Sequence, residues 1–138
     1  MGPPIPGAAH NRERDVADDF EFELDPTKRL LTIRLRGFWD MATVERYGEA
    51  LPNHLRQLRR LPPPRACLVD AREFAIQGKA TADRQVEIVT AALPLYPERT
   101  ARVVSGAISH KQAARMSNSA SHRVFDQIES ALSWLMEG

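Results

Sequence analysis

A chain of 138 residues, 43% hydrophobic and 27% charged, suits one folded domain with enough length to bury a core. A net charge of +1 supplies no field to attract nucleic acid or an anionic membrane, and a single cysteine excludes an internal disulfide. No apolar run approaches the ~20 residues of a bilayer span, and no basic segment followed by an apolar stretch opens the chain. A cytoplasmic protein without membrane insertion is therefore expected.

Residues 1–19 read as a disordered N-terminal tail, because five of the first seven are Gly or Pro and the rest are mostly small or polar. Such a segment has too little apolar surface to offset the entropy of ordering it. Residues 20–138 read as one domain. Phe20–Glu21–Phe22–Glu23–Leu24 alternates apolar and acidic, the pattern of a strand with one wet face. Asp25–Pro26–Thr27–Lys28 is a turn signal, and Leu31 to Arg36 alternates again, so the pair predicts an antiparallel hairpin that ends at Gly37.

Asp40 is placed to cap a helix whose Val44, Tyr47, Leu51, Leu55 and Leu58 recur at spacings of three and four. Pro52 falls inside it and predicts a kink, with Gly48 giving room one turn earlier. Ala66–Cys67–Leu68–Val69–Asp70 follows Pro62–Pro63–Pro64 and lacks polar alternation, as expected of a central strand buried on both faces. Cys67 then serves as a small buried hydrophobe. Asp70 would stand at the carboxyl end of that strand, where open α/β sheets place ligands and partners. Phe74 to Lys79 reads as a loop, and Val86, Val89 and Leu93 as the apolar stripe of a helix from Thr81 to Leu93, closed by Pro94 and Pro97.

Ala101 to Val104 predicts the next strand, ended by Ser105–Gly106. Ser109-x-x-Gln112 has the capping-box pattern and opens a third helix through Met116. His122 to Phe125 fits a final edge strand. Asp126-x-x-Glu129 repeats the capping pattern before a last helix striped by Ile128, Leu132 and Leu135. The order ββαβαβαβα predicts an α/β fold, a mixed five-stranded sheet with four helices, in which the hairpin forms an antiparallel edge.

The hairpin ending in Gly37, the Phe38–Trp39–Asp40 entry to a long helix, Leu68–Val69–Asp70 and Val103–Val104 carry a further signal. So does the close, Phe125 followed by Glu129–Ser130–Ala131–Leu132–Ser133–Trp134–Leu135. Together, from about Phe20 onward, they resemble the SpoIIAA-like branch of the STAS superfamily. That resemblance implies the STAS fold and no established enzymatic activity. In anti-sigma-factor-antagonist members a serine just after the core-strand Asp is phosphorylated by a partner kinase. Ala71 and Arg72 stand there in this chain, without a hydroxyl. Some relatives of the same architecture bind lipids or other apolar ligands.

Asp70–Ala71–Arg72 is the leading binding candidate, since a carboxylate and a guanidinium at a strand end suit a polar ligand group or a partner loop. The plainer role for Asp70 is to accept hydrogen bonds from the turn that follows. Ser109–His110, Ser121–His122 and Asp126 contain the residue types of a hydrolase triad, but no Gly-x-Ser-x-Gly elbow accompanies them. His10, His54, His110 and His122 lack metal-ligand spacing. Ser105–Gly106 matches neither phosphate-loop fingerprint. Arg56, Arg59, Arg60 and Arg65 suit a helix C-terminus better than a nucleic-acid surface, because no aromatic residue interleaves with them. Trp39 belongs either to the core or, with Tyr47, Leu93 and Tyr96, to an apolar pocket.

The expectation is a non-enzymatic interaction module, binding a protein partner or a second copy of itself, without cofactor or metal. Its working edge is formed by the Asp70 and Ser105–Gly106 loops. The alternative is a small apolar or lipid-like ligand near Trp39. The candidate residues are Trp39, Asp70, Arg72 and Ser105, with no catalytic residue among them.

Overall fold

A computed structural model describes residues 13–16, 19–106, 111 and 121–137. Six strands lie in one sheet in sequence order: β1 (Glu13–Val16), β2 (Phe20–Asp25), β3 (Leu30–Gly37), β4 (Ala66–Phe74), β5 (Arg99–Val103) and β6 (His122–Phe125). The first three are antiparallel neighbours and the last three join β3 in parallel. All five expected strands form. The sixth, β1, corrects the reading of a disordered tail at residues 13–16; residues 1–12 and 17–18 lie outside the described residues. The β1 backbone pairs with the free side of β2, from Glu13 opposite Leu24 to Val16 opposite Glu21. An edge strand gains its ladder from the backbone and needs no apolar pattern, so composition concealed it.

Three α-helices occur among the described residues, where four were expected: α1 (Met41–Arg59), α2 (Lys79–Ala92) and α3 (Ile128–Leu135). Of the helix predicted from Ser109 to Met116, only Lys111 is among the described residues, and it is helical. Asp40 caps α1 as expected, its Oδ1 accepting from the Thr43 N–H at 2.9 Å and from the Thr43 hydroxyl at 2.8 Å. The α1 helix continues through Pro52 and buries Val44, Tyr47, Leu51, Leu55 and Leu58. Each such leucine contributes about 1.5–3 kcal/mol on burial.

Parallel neighbours in sequence order are joined by right-handed crossovers that advance in one direction, which puts their helices on one face of the sheet. There α1 and α2 cover Phe20, Phe22, Ile33, Leu35, Cys67 and Val69. On α2 the buried stripe is Gln85, Ile88, Val89 and Ala92, whereas Val86 and Leu93 of the expected stripe are exposed. Ile88 decides this phase by nesting against Gly48 of α1, where a Cβ would come within 2.8 Å of Ile88 Cδ1.

The opposite face carries only α3, which follows the last strand and packs its Ala131, Trp134 and Leu135 on Leu30, Leu68, Ala101 and Val103. Gln127 precedes α3 without a side-chain cap, so the Asp126-x-x-Glu129 box does not form. A single helix about 10 Å across covers roughly two strands spaced ~4.8 Å apart. Part of β2 and β3 is therefore left open on this face.

Candidate functional site

The hairpin register builds the open region. Glu21 lies opposite Arg34 across β2 and β3, and Arg34 lies opposite Asp70 across β3 and β4. Successive strand residues alternate faces, so Glu21, Glu23, Arg34, Arg36 and Asp70 emerge on the face that α3 leaves open. Arg34 Nη1 donates to Glu21 Oε2 at 3.2 Å and to Glu23 Oε1 at 3.0 Å, and Arg36 Nη2 donates to Glu21 Oε1 at 2.8 Å. Glu21 and Glu23 are only 4% and 7% exposed. The expected wet face of β2 is thus buried as ion pairs. Carboxylates leave water at tolerable cost only when so paired.

Asp70 does not end its strand as expected, because β4 continues to Phe74. The register with β3 slips between Arg34 and Arg36, where Ala71 to Glu73 supply one residue more than the partner strand. Asp70 stabilises this bulge. Its Oδ1 accepts from the Arg72 backbone N–H at 3.2 Å and from Arg72 Nε at 2.9 Å, while Oδ2 accepts from Arg72 Nη2 at 2.8 Å. Burial by itself would raise the Asp70 carboxyl, but the hydrogen bonds from Arg72 and the charges of Arg72 and Arg34 outweigh it and hold it below its ordinary value. Both oxygens of an ionised, bidentately held carboxylate are engaged, which leaves no poised general base at this position.

These charges border a groove of about 310 Å³, with Leu30 and Leu68 in its floor and Ile128 and Leu132 of α3 along one wall. Arg34, Asp70, Arg72, Glu23 and Lys28 supply its polar side. Of the expected site residues, the structure brings together only Asp70 and Arg72. Trp39 lies on the opposite face, in the core. Its ring packs at centroid distances of 4.8 Å on Phe74, 5.2 Å on Tyr47 and 5.7 Å on Phe20, and its Nε1–H donates to the Arg36 carbonyl at 2.8 Å. Leu93, suggested as a pocket neighbour of Trp39, is exposed. Ser105 is exposed beyond β5 and is absent from the groove lining. Among the described residues, no group of three or more His, Cys, Asp or Glu is arranged to hold a metal ion.

A second surface feature escaped sequence reading. Phe38 is 67% exposed and Ile76 is 47% exposed, on the two loops that leave β3 and β4. Gln77 ties those loops together. Its Oε1 accepts from the Trp39 N–H at 2.8 Å, and its Nε2 donates to the Gly37 carbonyl at 3.0 Å and the Ala75 carbonyl at 2.6 Å. Gly37 turns the chain with φ +79°, a conformation that favours glycine. The available sequence signal was Phe38–Trp39 itself, two adjacent aromatics of which a strand-to-helix corner can bury only one.

Among solved structures, two align with almost the whole chain. One is an uncharacterised protein from the DUF3478 family, with a SpoIIAA-like fold, from Shewanella loihica PV-4. It is 17% identical, with a TM-score of 0.58, covering 90% of this chain and 91% of its own. The other is an anti-sigma factor antagonist from Mycobacterium paratuberculosis, 13% identical, with a TM-score of 0.55, covering 91% of this chain and 93% of its own. The chain has a SpoIIAA-like fold. At this identity the likeness speaks for the fold alone. No protein-family model matches the sequence, and no curated protein matches it. Within the SpoIIAA-like frame, the positions after the core-strand aspartate are a buried Ala71 and the Asp70-bound Arg72. No helix among the described residues is long and apolar enough to cross a membrane.

Proposed function

We propose that this SpoIIAA-like domain is a non-enzymatic interaction and regulatory module that docks a protein partner at the carboxyl ends of β3 and β4. The exposed, loop-anchored Phe38 carries this reading, with Ile76 on the adjoining loop. An exposed aromatic gains little for the monomer, whereas a ring on a loop whose backbone is tied down by Gln77 meets a partner with less loop freedom to lose. The anti-sigma factor antagonist with the same fold supports a regulatory role by analogy. No serine stands at Ala71 or Arg72, so regulation here does not use a phosphorylated hydroxyl at those positions.

The test is a photo-crosslinking amino acid placed at Phe38 and, as a control, at exposed Glu87, in the cells that make the protein. A discrete adduct formed at 38 and not at 87, lost on Gln77→Ala, supports the reading. Equal labelling at both positions defeats it. An adduct at twice the chain mass identifies the partner as a second copy.

The groove favours a second reading, a small ligand with an apolar body and a polar end. Its volume of about 310 Å³ lies at the lower end of the range for ligand sites, and its lining is part apolar and part charged. Native mass spectrometry of protein purified from its own cells separates the two. A mass excess lost on denaturation supports a ligand, and a bare chain mass removes it.

A further inference from the structure

The two ends of the parallel strands carry unlike charge. At the carboxyl ends of β3 and β4, Phe38 and Ile76 stand exposed, as does Met41 in the first turn of α1. The Phe38 ring lies beside Gly78 at the start of α2, where a Cβ would stand 3.8 Å from Phe38 Cζ. This end also carries the exposed carboxylates of Asp40 and Glu73, neither with an ion-pair partner among the described residues. The cations near them are already matched. Lys79 binds Asp83 and Arg72 binds Asp70, each at 2.8 Å, and Arg46 reaches Asp19 at 3.7 Å. The Phe38 display is thus apolar with an acidic rim.

At the opposite end, where α1 stops and β3 and β4 begin, the sign inverts. Lys28, Arg56, Arg59 and Arg60 are exposed, and no carboxylate pairs with them among the described residues. Glu98 is taken by Arg65 at 2.9 Å, and Asp25 Oδ1 accepts from the Thr27 and Lys28 N–H groups. Between Arg60 and Arg65 the chain exposes Pro62, Pro63 and Pro64. That loop is braced from both sides. Arg29 Nη1 donates to the Pro63 carbonyl at 3.2 Å, and Arg65 Nη1 donates to the Arg59 carbonyl at 2.8 Å. Proline has no side-chain rotamers to lose on docking, and proline-rich segments suit aromatic surfaces.

We propose that the Phe38 display is occupied by a second copy of this chain, seated head to tail through its Pro62–Pro64 loop. The proline rings cover Phe38 and Ile76, and the arginines flanking the loop meet Asp40 and Glu73. This rests on the docking reading and names its partner. Head-to-head pairing would bring the acidic rims together, and tail-to-tail pairing would oppose the arginines, so charge disfavours both symmetric dimers. The 8 residues of β3 hold the two ends roughly 25 Å apart, so no copy covers its own display. A contact between unlike surfaces leaves one head and one tail free after each addition, and propagates into a row of subunits or closes as a ring. The contact is a few side chains wide, so association is weak, sensitive to salt and visible at high concentration.

The test is sedimentation velocity of the full chain from micromolar to millimolar concentration, in low and in high salt. The sedimentation coefficient should rise with concentration in low salt and stay flat in high salt. Phe38→Asp disables the head and Arg60→Glu the tail, both at exposed positions, and each variant alone should associate at least about tenfold more weakly. Mixed in equal amounts, the two variants should form a dimer that grows no further, because one intact tail and one intact head remain between them. A wild-type chain that stays monomeric throughout, variants that associate as well as wild type, or a mixture that does not pair overturns the proposal. If the chain stays monomeric while a crosslinker at position 38 captures a different protein, the docking reading stands and the second copy is ruled out.

Discussion

The two faces of the sheet meet the same demand with different materials. Against α1 and α2, the strands present Phe22, Leu31, Ile33, Leu35 and Cys67, all essentially inaccessible, and Trp39 closes one end among Phe20, Tyr47 and Phe74. Against α3, the apolar core is a smaller group around Leu68, Val103 and Trp134. The Trp134 ring is flanked by the Arg99 and Arg123 guanidiniums at 5.1 and 5.3 Å. Beyond the reach of α3, the sheet surface turns to Glu21, Glu23, Arg34 and Arg36, paired across β2 and β3, and to Asp70, paired with Arg72 along its own strand. Apolar packing scales with the area a helix covers, and where the helix ends, cross-strand ion pairs take over. The difference teaches that the charged side of β2 and β3 is set by helix coverage, and that the groove is its consequence.

Truncation of the covered face should cost most. Trp39→Ala removes three ring contacts and a hydrogen bond, and should lower the unfolding free energy by about 3–5 kcal/mol in denaturant titration. A loss below about 1 kcal/mol would remove Trp39 from the core and reopen the pocket once considered there. On the other face, Arg34→Ala leaves Glu23 and one Glu21 contact without Arg34. About 1–2 kcal/mol is expected at neutral pH, with the deficit shrinking as acid protonates the glutamates. A deficit that does not change with pH would mean that Arg34 acts through its packing.

The junction of α1 and α2 offers a finer probe. Gly48→Ala gains helix propensity worth about 1 kcal/mol but drives a methyl to 2.8 Å from Ile88 Cδ1. The single variant should be neutral or destabilised by about 1 kcal/mol. Ile88→Val removes that terminal methyl, so the double variant should be more stable than additivity predicts.

The smallest effects belong to the half-exposed and exposed pairs. Asp70 has a folded pKa below its ordinary 3.8, and Glu98, held by Arg65 at 2.9 Å, falls from 4.5 to about 2. A carboxyl lowered on folding stabilises the native state fully above its unfolded pKa and loses that contribution as pH falls through the folded value. Both contributions should thus be complete at neutral pH and fade below about pH 4.5, with that of Glu98 gone only near pH 2. Solvent screening keeps each pair below about 1 kcal/mol. Comparison of Asp70→Asn and Glu98→Gln with wild type by Tm against pH should show gaps at pH 7 that close in acid, and a gap that widens in acid would reverse the assignment.

The hairpin, the Asp40 cap, the buried stripe of α1 and the central strand at Ala66 were legible because each rests on local periodicity or a local hydrogen bond. The stripe of α2 was not. Val86 and Leu93 satisfy helical spacing, but the glycine notch at Gly48 selects Ile88, and a single sequence does not show which helix faces which. Asp70 and Arg72 were legible as a pair, although their place inside a bulged strand was not. The groove and the Phe38–Ile76 display were missed, since both depend on where neighbouring elements stop.

By itself, the sequence determined the α/β alternation, the SpoIIAA-like resemblance and most of the large apolar core, all written in spacings of two, three and four residues. Only the tertiary structure decided that Glu13–Val16 joins the sheet, that Glu21 and Glu23 are buried under arginines and that Phe38 is left outside. Periodicity records which residues share a side of their own element. What covers that side is a property of the neighbours, and it is coverage that makes a charge a surface group, an ion pair or a binding site.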